Sequence, residues 1–149
     1  MANPLLDVLI RDLMTAEVTV IDQGAKLDMA LDLMRELNIR RLPVTGRLGK
    51  LVGILTIDEA RTAMPQGVSH FDAGAEAERL IPEVRSVMNA QLHTVTPDQT
   101  AARAAQLMLQ FKVGALPVVD GDELVGIITE SDIFRFLTRD LPPLQSDWD

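Results

Sequence analysis

Cysteine and tyrosine are absent from this chain of 149 residues, and aromatic side chains make up only 3% of it. The absence of cysteine excludes disulfides, thiolate catalysis and cysteine-bound zinc. No apolar run approaches the ~20 residues of a transmembrane helix, and the first residues lack the basic, signal-like layout of a secretory leader. We therefore expect a cytoplasmic protein. Hydrophobic residues make up 47% of the chain, which is enough for a core, and this core should be aliphatic because aromatic residues are so few.

Positively charged residues are also few compared with negatively charged ones. There are 14 Lys and Arg residues against 22 Asp and Glu residues, which gives a net charge of −8. Proteins that follow nucleic-acid phosphates normally present a basic face, so we expect no nucleic-acid partner, and we expect no membrane partner either. A small anionic ligand is still compatible with this charge, because a local pocket can oppose the overall sign.

The chain contains the same pattern twice. Pro43 and Pro117 lie 74 residues apart, while Gly53 and Gly126 lie 73 apart because one residue is lost in the intervening loop. A register held across helix, turn and strand indicates an internal duplication. The segment LVGI recurs intact, and further pairs are Arg11 and Arg85, Met14 and Met88, Ala30 and Ala104, Met34 and Met108, and Thr56 and Thr129.

Each copy predicts the element order β-α-β-β-α. Apolar residues recur at helical spacing over Leu27–Leu37 and Ala101–Phe111. Two β-branched runs follow each helix, and in the second copy Asp120-Gly121 joins them as a hairpin. A short helix should then begin near Asp58 and near Ser131. One half would be marginal alone, so we expect an α/β fold of the α+β kind, with two pseudo-twofold-related halves packed sheet to sheet.

Several flanking segments carry predictions of their own. Thr96–Gln99 offers an N-cap hydroxyl, a proline at the first helical position and a capping-box glutamine, so the second long helix should begin there. Pro4–Met14 is apolar enough for a helix, Pro65–Gly74 is typical of a loop, and Ala75–Ile81 is typical of a short helix. The predicted domains are a first motif with its N-terminal helix (1–64), a linker (65–82), a second motif (83–140) and a C-terminal tail (141–149).

The repeated motifs resemble those of the cystathionine-β-synthase-type domain, or CBS domain. Each copy has V/I-R-x-h-M, then L-P-V, then L-V-G-I-h-T and a terminal acid, where h is a hydrophobic residue. Two copies between Ile10 and Leu137 resemble a CBS pair, or Bateman module, and the whole is similar to stand-alone bacterial CBS-pair proteins.

The resemblance implies a regulatory module and not an enzyme. It implies that an adenosine-containing ligand (AMP, ADP, ATP, NAD or S-adenosylmethionine) binds in the cleft between the two motifs, alone or with magnesium, and that there is no covalent cofactor. It further implies a homodimer and an effector protein of unknown identity. A ligand-independent dimerisation or interaction scaffold is the alternative, and an enzyme is a third candidate that no constellation supports.

The second copy carries the stronger candidate site. In the family a Ser/Thr-x-x-Asp motif holds the ribose, and Thr129-Glu130-Ser131-Asp132 matches it. One short carboxylate can accept hydrogen bonds from both vicinal hydroxyls, so we expect Asp132 to hold the sugar. The hydroxyls of Thr129 and Ser131 and the exposed N–H groups of the helix should face phosphate. The plainer interpretation is that an Asp in the first turn only caps the helix, a contribution of roughly 0.3–1 kcal/mol.

The remaining residues of this site follow from the resemblance. The adenine should lie against the segment after the second long helix, and one residue of each leading segment should line the base pocket. Two arginines are candidates for binding phosphate. The alternative for Arg40 is that it is only solvated, and the alternative for Arg135 is an ion pair with Glu130 or Asp132. The residues are Val113, Gly114, Ala115, Leu116, Pro117, Ala90, Thr15, Arg40 and Arg135.

The first copy departs from the motif, because Glu59 stands where Asp is expected. The extra methylene weakens a two-point grip on a diol, and the adjacent Asp58 repels phosphate. We expect a weaker second site, with Thr56, Asp58, Glu59, Arg41 and Pro43 as its candidate residues.

Nothing in the sequence predicts a catalytic or metal site. His70 and His93 are far apart without a clear third ligand, so neither is expected to bind metal. No Ser or Thr has an assignable His/Asp set, so no catalytic residue is predicted.

Overall fold

The order of elements repeats the β-α-β-β-α pattern, with a single-residue bridge in place of the leading strand of the second copy. The computed structural model describes residues 2–65 and 79–145. The predicted loop Pro65–Gly74 and the predicted helix Ala75–Ile81 lie mostly outside these residues. The α-helices are Ile10–Leu13 (α1), Leu27–Leu37 (α2), Ile57–Ala63 (α3), Ala101–Phe111 (α4) and Glu130–Leu137 (α5); the strands are Ile21–Asp22 (β1), Arg41–Thr45 (β2), Leu51–Thr56 (β3), Ala115–Asp120 (β4) and Glu123–Thr129 (β5).

The chain divides into two compact units that do not coincide with the two repeats. The Asp132 unit comprises Met1–Ala16, His93–Asp120 and Val125–Asp149, and the Glu59 unit comprises Glu17–Leu92 and Gly121–Leu124. The N-terminal segment therefore groups with the second repeat, and the segment that leads into the second repeat groups with the first. None of the helices in the described residues has the length and apolar character needed to cross a membrane.

The Glu59 unit is built on a three-stranded sheet in the order β1-β2-β3. β1 is parallel to β2, with Ile21 opposite Val44, and β2 is antiparallel to β3, with Val44 opposite Gly53. The burial of β3 alternates between buried and partly buried residues, as a strand with one face on a core requires. α2 supplies the apolar stripe Leu27, Ala30, Leu31 and Met34 to that core.

Strands β4 and β5 repeat this plan, mostly within the Asp132 unit. The hairpin that joins them turns at Gly121, whose φ is 61°, and its residues Gly121–Leu124 group with the Glu59 unit. Val95 forms a single parallel bridge with Val118 and stands where β1 stands in the other unit. α4 packs Ala104 and Met108 into the core, whose buried members are Ile10, Val95, Ala104, Met108, Leu116, Val118, Ile128 and Ile133.

The segment that leads into each repeat pairs with the last strand of the other repeat. Thr15 exchanges two backbone hydrogen bonds with Ile127, at 2.9 and 3.0 Å, within the Asp132 unit. Asn89 does the same with Ile54, at 2.9 and 3.0 Å, within the Glu59 unit. These pairings explain why the units exchange segments relative to the repeats.

Glycine is needed where the leading segment crosses the last strand. A Cβ on Gly126 would lie 2.6 Å from the sulfur of Met14 and 2.9 Å from the carbonyl oxygen of Thr15. A Cβ on Gly53 would lie 2.5 Å from the sulfur of Met88. The same contact between a methionine and a glycine therefore occurs in both units.

The second long helix begins later than its sequence predicts. The N-cap of α4 is Thr100, whose hydroxyl accepts from the backbone N–H of Arg103, and the helix starts at Ala101. The predicted start forms a separate turn, in which the backbone N–H of Thr96 donates to the Gln99 side chain at 2.9 Å. Two threonines four residues apart both fit an N-cap, and the prediction chose the wrong one.

The prediction of one helix over Pro4–Met14 is also wrong. A 3-10 turn covers Pro4–Leu6, and α1 covers only Ile10–Leu13. Between them the carbonyl oxygen of Val8 accepts from Ala101 at 2.9 Å, and the N–H of Ile10 donates to Gln99 at 2.8 Å. Because the backbone is paired with the segment ahead of α4, it cannot continue as a helix.

Replacing Gly126 with alanine tests the crossing contact. Gly126→Ala should lower the free energy of unfolding by about 1–3 kcal/mol, because the new methyl meets backbone as well as a flexible side chain. Urea denaturation provides the measurement. Glu123→Ala, at an exposed position of the same strand, is the control and should cost less than about 0.5 kcal/mol. Equal stability of the two variants would contradict the close approach.

Candidate functional site

The Thr129–Asp132 motif forms the turn between β5 and α5. Thr129 is extended and caps the helix, and its hydroxyl accepts from the backbone N–H of Asp132 at 3.3 Å. The N–H of Glu130 donates to the carbonyl oxygen of Gly114 at 3.0 Å. The start of α5 is thereby fixed against the segment that precedes β4.

Asp132 is the buried charged residue of the described chain, with an exposed fraction of 7%. Its Oδ2 accepts from the backbone N–H of Thr129 at 2.8 Å and from the Thr129 hydroxyl at 3.1 Å. Its Oδ1 accepts from Nη1 of Arg135 at 3.1 Å. The carboxylate is therefore held in one orientation by its own helix, with one oxygen saturated and the other partly available.

The predicted adenine segment lies in the same unit as this carboxylate. α4 ends at Phe111, and its C-cap Lys112 has a left-handed φ of 55° that turns the chain into Val113 and Gly114. Leu116 and Pro117 are then buried in β4. Val113 and Gly114 remain partly exposed beside the start of α5, so an apolar edge and an acidic turn adjoin.

The two leading-segment residues belong to different compact units. Thr15 pairs with Ile127, two residues before Thr129, and so lies in the Asp132 unit. Ala90 follows Asn89, which pairs with Ile54, and so lies in the Glu59 unit. The family resemblance predicts that Ala90 lines the base pocket, and the structure places this residue in the unit of Glu59. The spacing of the repeats does not show with which repeat's final strand a leading segment forms its backbone hydrogen bonds.

The first copy forms the same turn in the Glu59 unit. Oε1 of Glu59 accepts from the Thr56 hydroxyl at 2.8 Å and from the Thr56 backbone N–H at 3.2 Å. Asp58 is exposed and lies 3.6 Å from a guanidinium nitrogen of Arg40, which is also exposed. An exposed pair of this kind contributes little to stability.

The other members of the predicted second site are strand residues. Arg41 lies opposite Thr56 across β2 and β3, and Pro43 lies opposite Ile54. Pro43 is buried, while Arg41 is partly buried. The structure thus brings Thr56, Glu59 and Arg41 to one end of the sheet.

The two copies differ in a cation, Arg135, for which the sequence left a phosphate contact and an ion pair with Glu130 or Asp132 as alternatives. Arg135 pairs with Asp132, and its register counterpart in the first copy, 73 residues earlier, is Thr62. Comparing the two repeats one helical turn beyond the motif would have found this difference. Ser131 and Glu130 are exposed at the start of α5.

No group of three or more potential metal ligands occurs in the part of the chain that the structure describes. His93 stacks on the ring of Phe111, with ring centroids 3.6 Å apart and an interplanar angle of 11°. His70 lies outside the described residues.

Three comparisons with known proteins bear on this geometry. The CBS domain family model matches residues 10–66 and 84–139. A CBS domain-containing protein of Dictyostelium discoideum is 32% identical over 141 residues, which cover 93% of this chain and 97% of that protein. The uncharacterized protein MJ1404 of Methanocaldococcus jannaschii is 33% identical over 135 residues; these cover 88% of this chain, which spans only 32% of that protein.

A solved structure shares the fold. The crystal structure of CBSX2 in complex with AMP superposes with a TM-score of 0.72 at 26% identity, covering 89% of this chain and 97% of that one. The predicted mixture of helices and two small sheets is confirmed.

The caps that hold both carboxylates can be tested together. Thr129→Val keeps the side-chain shape but removes the hydroxyl that pairs with Asp132, and should lower the free energy of unfolding by about 1 kcal/mol. Thr56→Val should cost a similar amount through Glu59. Urea denaturation measures both, with Thr94→Val at an exposed position as the control. If both cap variants matched the control, the hydroxyls would not hold these turns.

Proposed function

This chain belongs to the CBS-domain family, as a tandem pair of motifs, and we propose that it is a regulatory module that binds an adenosine-containing nucleotide. The observation that carries the proposal is the buried carboxylate of Asp132, fixed at the start of α5 beside the Val113–Pro117 segment. The relative CBSX2, which has been crystallised with AMP, supports a nucleotide of that class.

Each part of the ligand has a proposed contact in the Asp132 unit. Oδ1 of Asp132 accepts from the ribose, since Oδ2 already accepts twice. The apolar edge at Val113 and Gly114 receives the adenine, with Thr15 nearby on the neighbouring segment. The phosphate lies toward the first turn of α5, where Ser131 offers a hydroxyl and the helix N-terminus favours an anion.

The regulatory role includes proposed protein partners. We place the protein in the cytoplasm as a homodimer acting on an effector protein. Exposed apolar side chains on the long helices support association, because Met29 on α2 is 59% exposed and Leu109 on α4 is 81% exposed. No catalytic role and no covalent cofactor is part of the proposal.

Substitution of Asp132 tests the ribose contact. Asp132→Asn keeps an oxygen that can cap Thr129 but removes the charge that accepts from ribose, so we expect AMP affinity to fall about tenfold or more. Isothermal titration calorimetry measures the affinity. Asp122→Asn, an exposed carboxylate in the hairpin turn, makes the same change of charge and should bind as the parent does.

Two outcomes of that experiment would count against the nucleotide sensor. Equal affinity of Asp132→Asn and Asp122→Asn would remove Asp132 from the site. A parent protein whose melting temperature is unmoved by AMP, ADP, ATP, NAD and S-adenosylmethionine would favour the ligand-independent scaffold instead.

The length of the phosphate chain gives a further test. Glu130 and Asp132 place two acids in the first turn of α5, and Arg135 is a single cation beside them. A triphosphate therefore meets more repulsion than a monophosphate, and AMP should bind more tightly than ATP in the absence of magnesium. Calorimetry with both nucleotides checks this, and tighter binding of magnesium-free ATP would contradict it.

A further inference from the structure

The counter-ion of Asp132 is supplied by its own helix. Nη1 of Arg135 lies 3.1 Å from Oδ1 of Asp132, and the Arg135 side chain is 73% exposed whereas that of Asp132 is 7% exposed. Resting on the proposed function, we propose that Arg135 competes with the ribose for Asp132, leaves the carboxylate when ligand binds, and so makes the site select ligands that carry a phosphate.

The competition follows from counting acceptor positions. A carboxylate offers about four lone-pair positions, two on each oxygen. Oδ2 accepts twice from Thr129, and Oδ1 accepts once from Arg135, so one position is left. A ribose diol brings two hydroxyl donors. Both hydroxyls can bond to Asp132 only when the guanidinium gives up its place.

The exchange is favoured by the different burial of the two partners. The Arg135 side chain is mostly in water already, so its guanidinium loses little when it leaves the carboxylate. Asp132 is buried, so losing its counter-ion without a replacement is costly. The two ribose hydroxyls provide that replacement, and binding thus trades one set of donors for another on a fixed carboxylate.

Phosphate adds selectivity because it gives the released arginine a new partner. Arg135 lies one turn after Asp132 on α5, and the phosphate is proposed to lie toward the start of the same helix. A guanidinium binds phosphate through two parallel hydrogen bonds, which is a stronger contact than its present single bond. Adenosine, which lacks phosphate, displaces Arg135 into water without this gain.

Within the described residues, only the second copy has an arginine paired with the carboxylate of its capping turn. Thr62 occupies the corresponding position after Glu59, and Thr62 carries no charge. The cation is therefore a property of the Asp132 turn and not of the repeated capping motif.

The experiment compares adenosine with AMP in two variants of matched charge. Arg135→Met keeps an unbranched apolar stem but has no donor. Arg139→Met is the control, because Arg139 contacts Phe136 and makes no contact with Asp132. By calorimetry, Arg135→Met should bind adenosine about threefold more tightly than the parent and AMP no more tightly than the parent, while Arg139→Met should leave the ratio of the two dissociation constants unchanged.

Other results would overturn the competition. Arg135→Met binding adenosine and AMP more weakly by the same factor would make Arg135 a positioning residue only. A loss confined to AMP, with adenosine unchanged, would make it a phosphate contact that does not compete. An unchanged ratio in Arg135→Met, together with lost binding in Asp132→Asn, would overturn the competition but keep the proposed function. A parent protein that binds neither ligand would overturn both.

A measurement on the parent protein avoids any effect of the substitution on folding. The Nε–H resonance of Arg135 is identified by its disappearance in the Arg135→Met spectrum. Saturation of the parent with adenosine should move this resonance, and AMP should move it to a third position. No shift with either bound ligand would show that the ion pair persists and would contradict the proposal.

Discussion

The pairing of the Asp132 carboxylate with Thr129 sets the position of everything else in the candidate site. It ends β5, begins α5 and buries a charge at a defined point, while the bond from Glu130 to the carbonyl oxygen of Gly114 ties that point to the apolar segment before β4. A carboxylate held by backbone and hydroxyl donors does not need to reorient when a ligand arrives. Its weakness as a binding group is that capping and ion pairing already use most of its acceptor positions.

The duplication produces two such turns. Each turn follows a strand that pairs with the leading segment of the other repeat. Thr15 joins the strand that leads to Asp132, and Asn89 joins the strand that leads to Glu59. Each crossing depends on a glycine that lets a methionine and a carbonyl oxygen approach the strand. Asp against Glu, and Arg135 against Thr62, then distinguish two turns that share a backbone plan.

Much of the fold could be predicted from the sequence because its signals are local and occur twice. The spacing of apolar residues predicted α2 and α4, and the Asp120-Gly121 turn predicted the hairpin of β4 and β5. The predicted start of α4 was wrong because Thr96 and Thr100 both suit an N-cap, and local chemistry alone does not choose between them. The pairing of each leading segment with the last strand of the other repeat could not be predicted for a different reason: strand pairing between distant segments leaves no mark in either segment.

The chemistry of the candidate site could likewise be predicted from the sequence only in part. The motif predicted Asp132 and the apolar segment Val113–Pro117 as parts of the site, since each is a short run of adjacent residues. The occupancy of each carboxylate oxygen depends on side-chain geometry, which spacing can suggest but not decide, and the ion pair of Arg135 was one of two alternatives. A crystal structure of the protein with AMP tests the central claim most directly. The account predicts both ribose hydroxyls within about 3 Å of the Asp132 carboxylate, with Arg135 turned away from it. AMP bound elsewhere, or a ribose that leaves the Asp132–Arg135 pair intact, would contradict it.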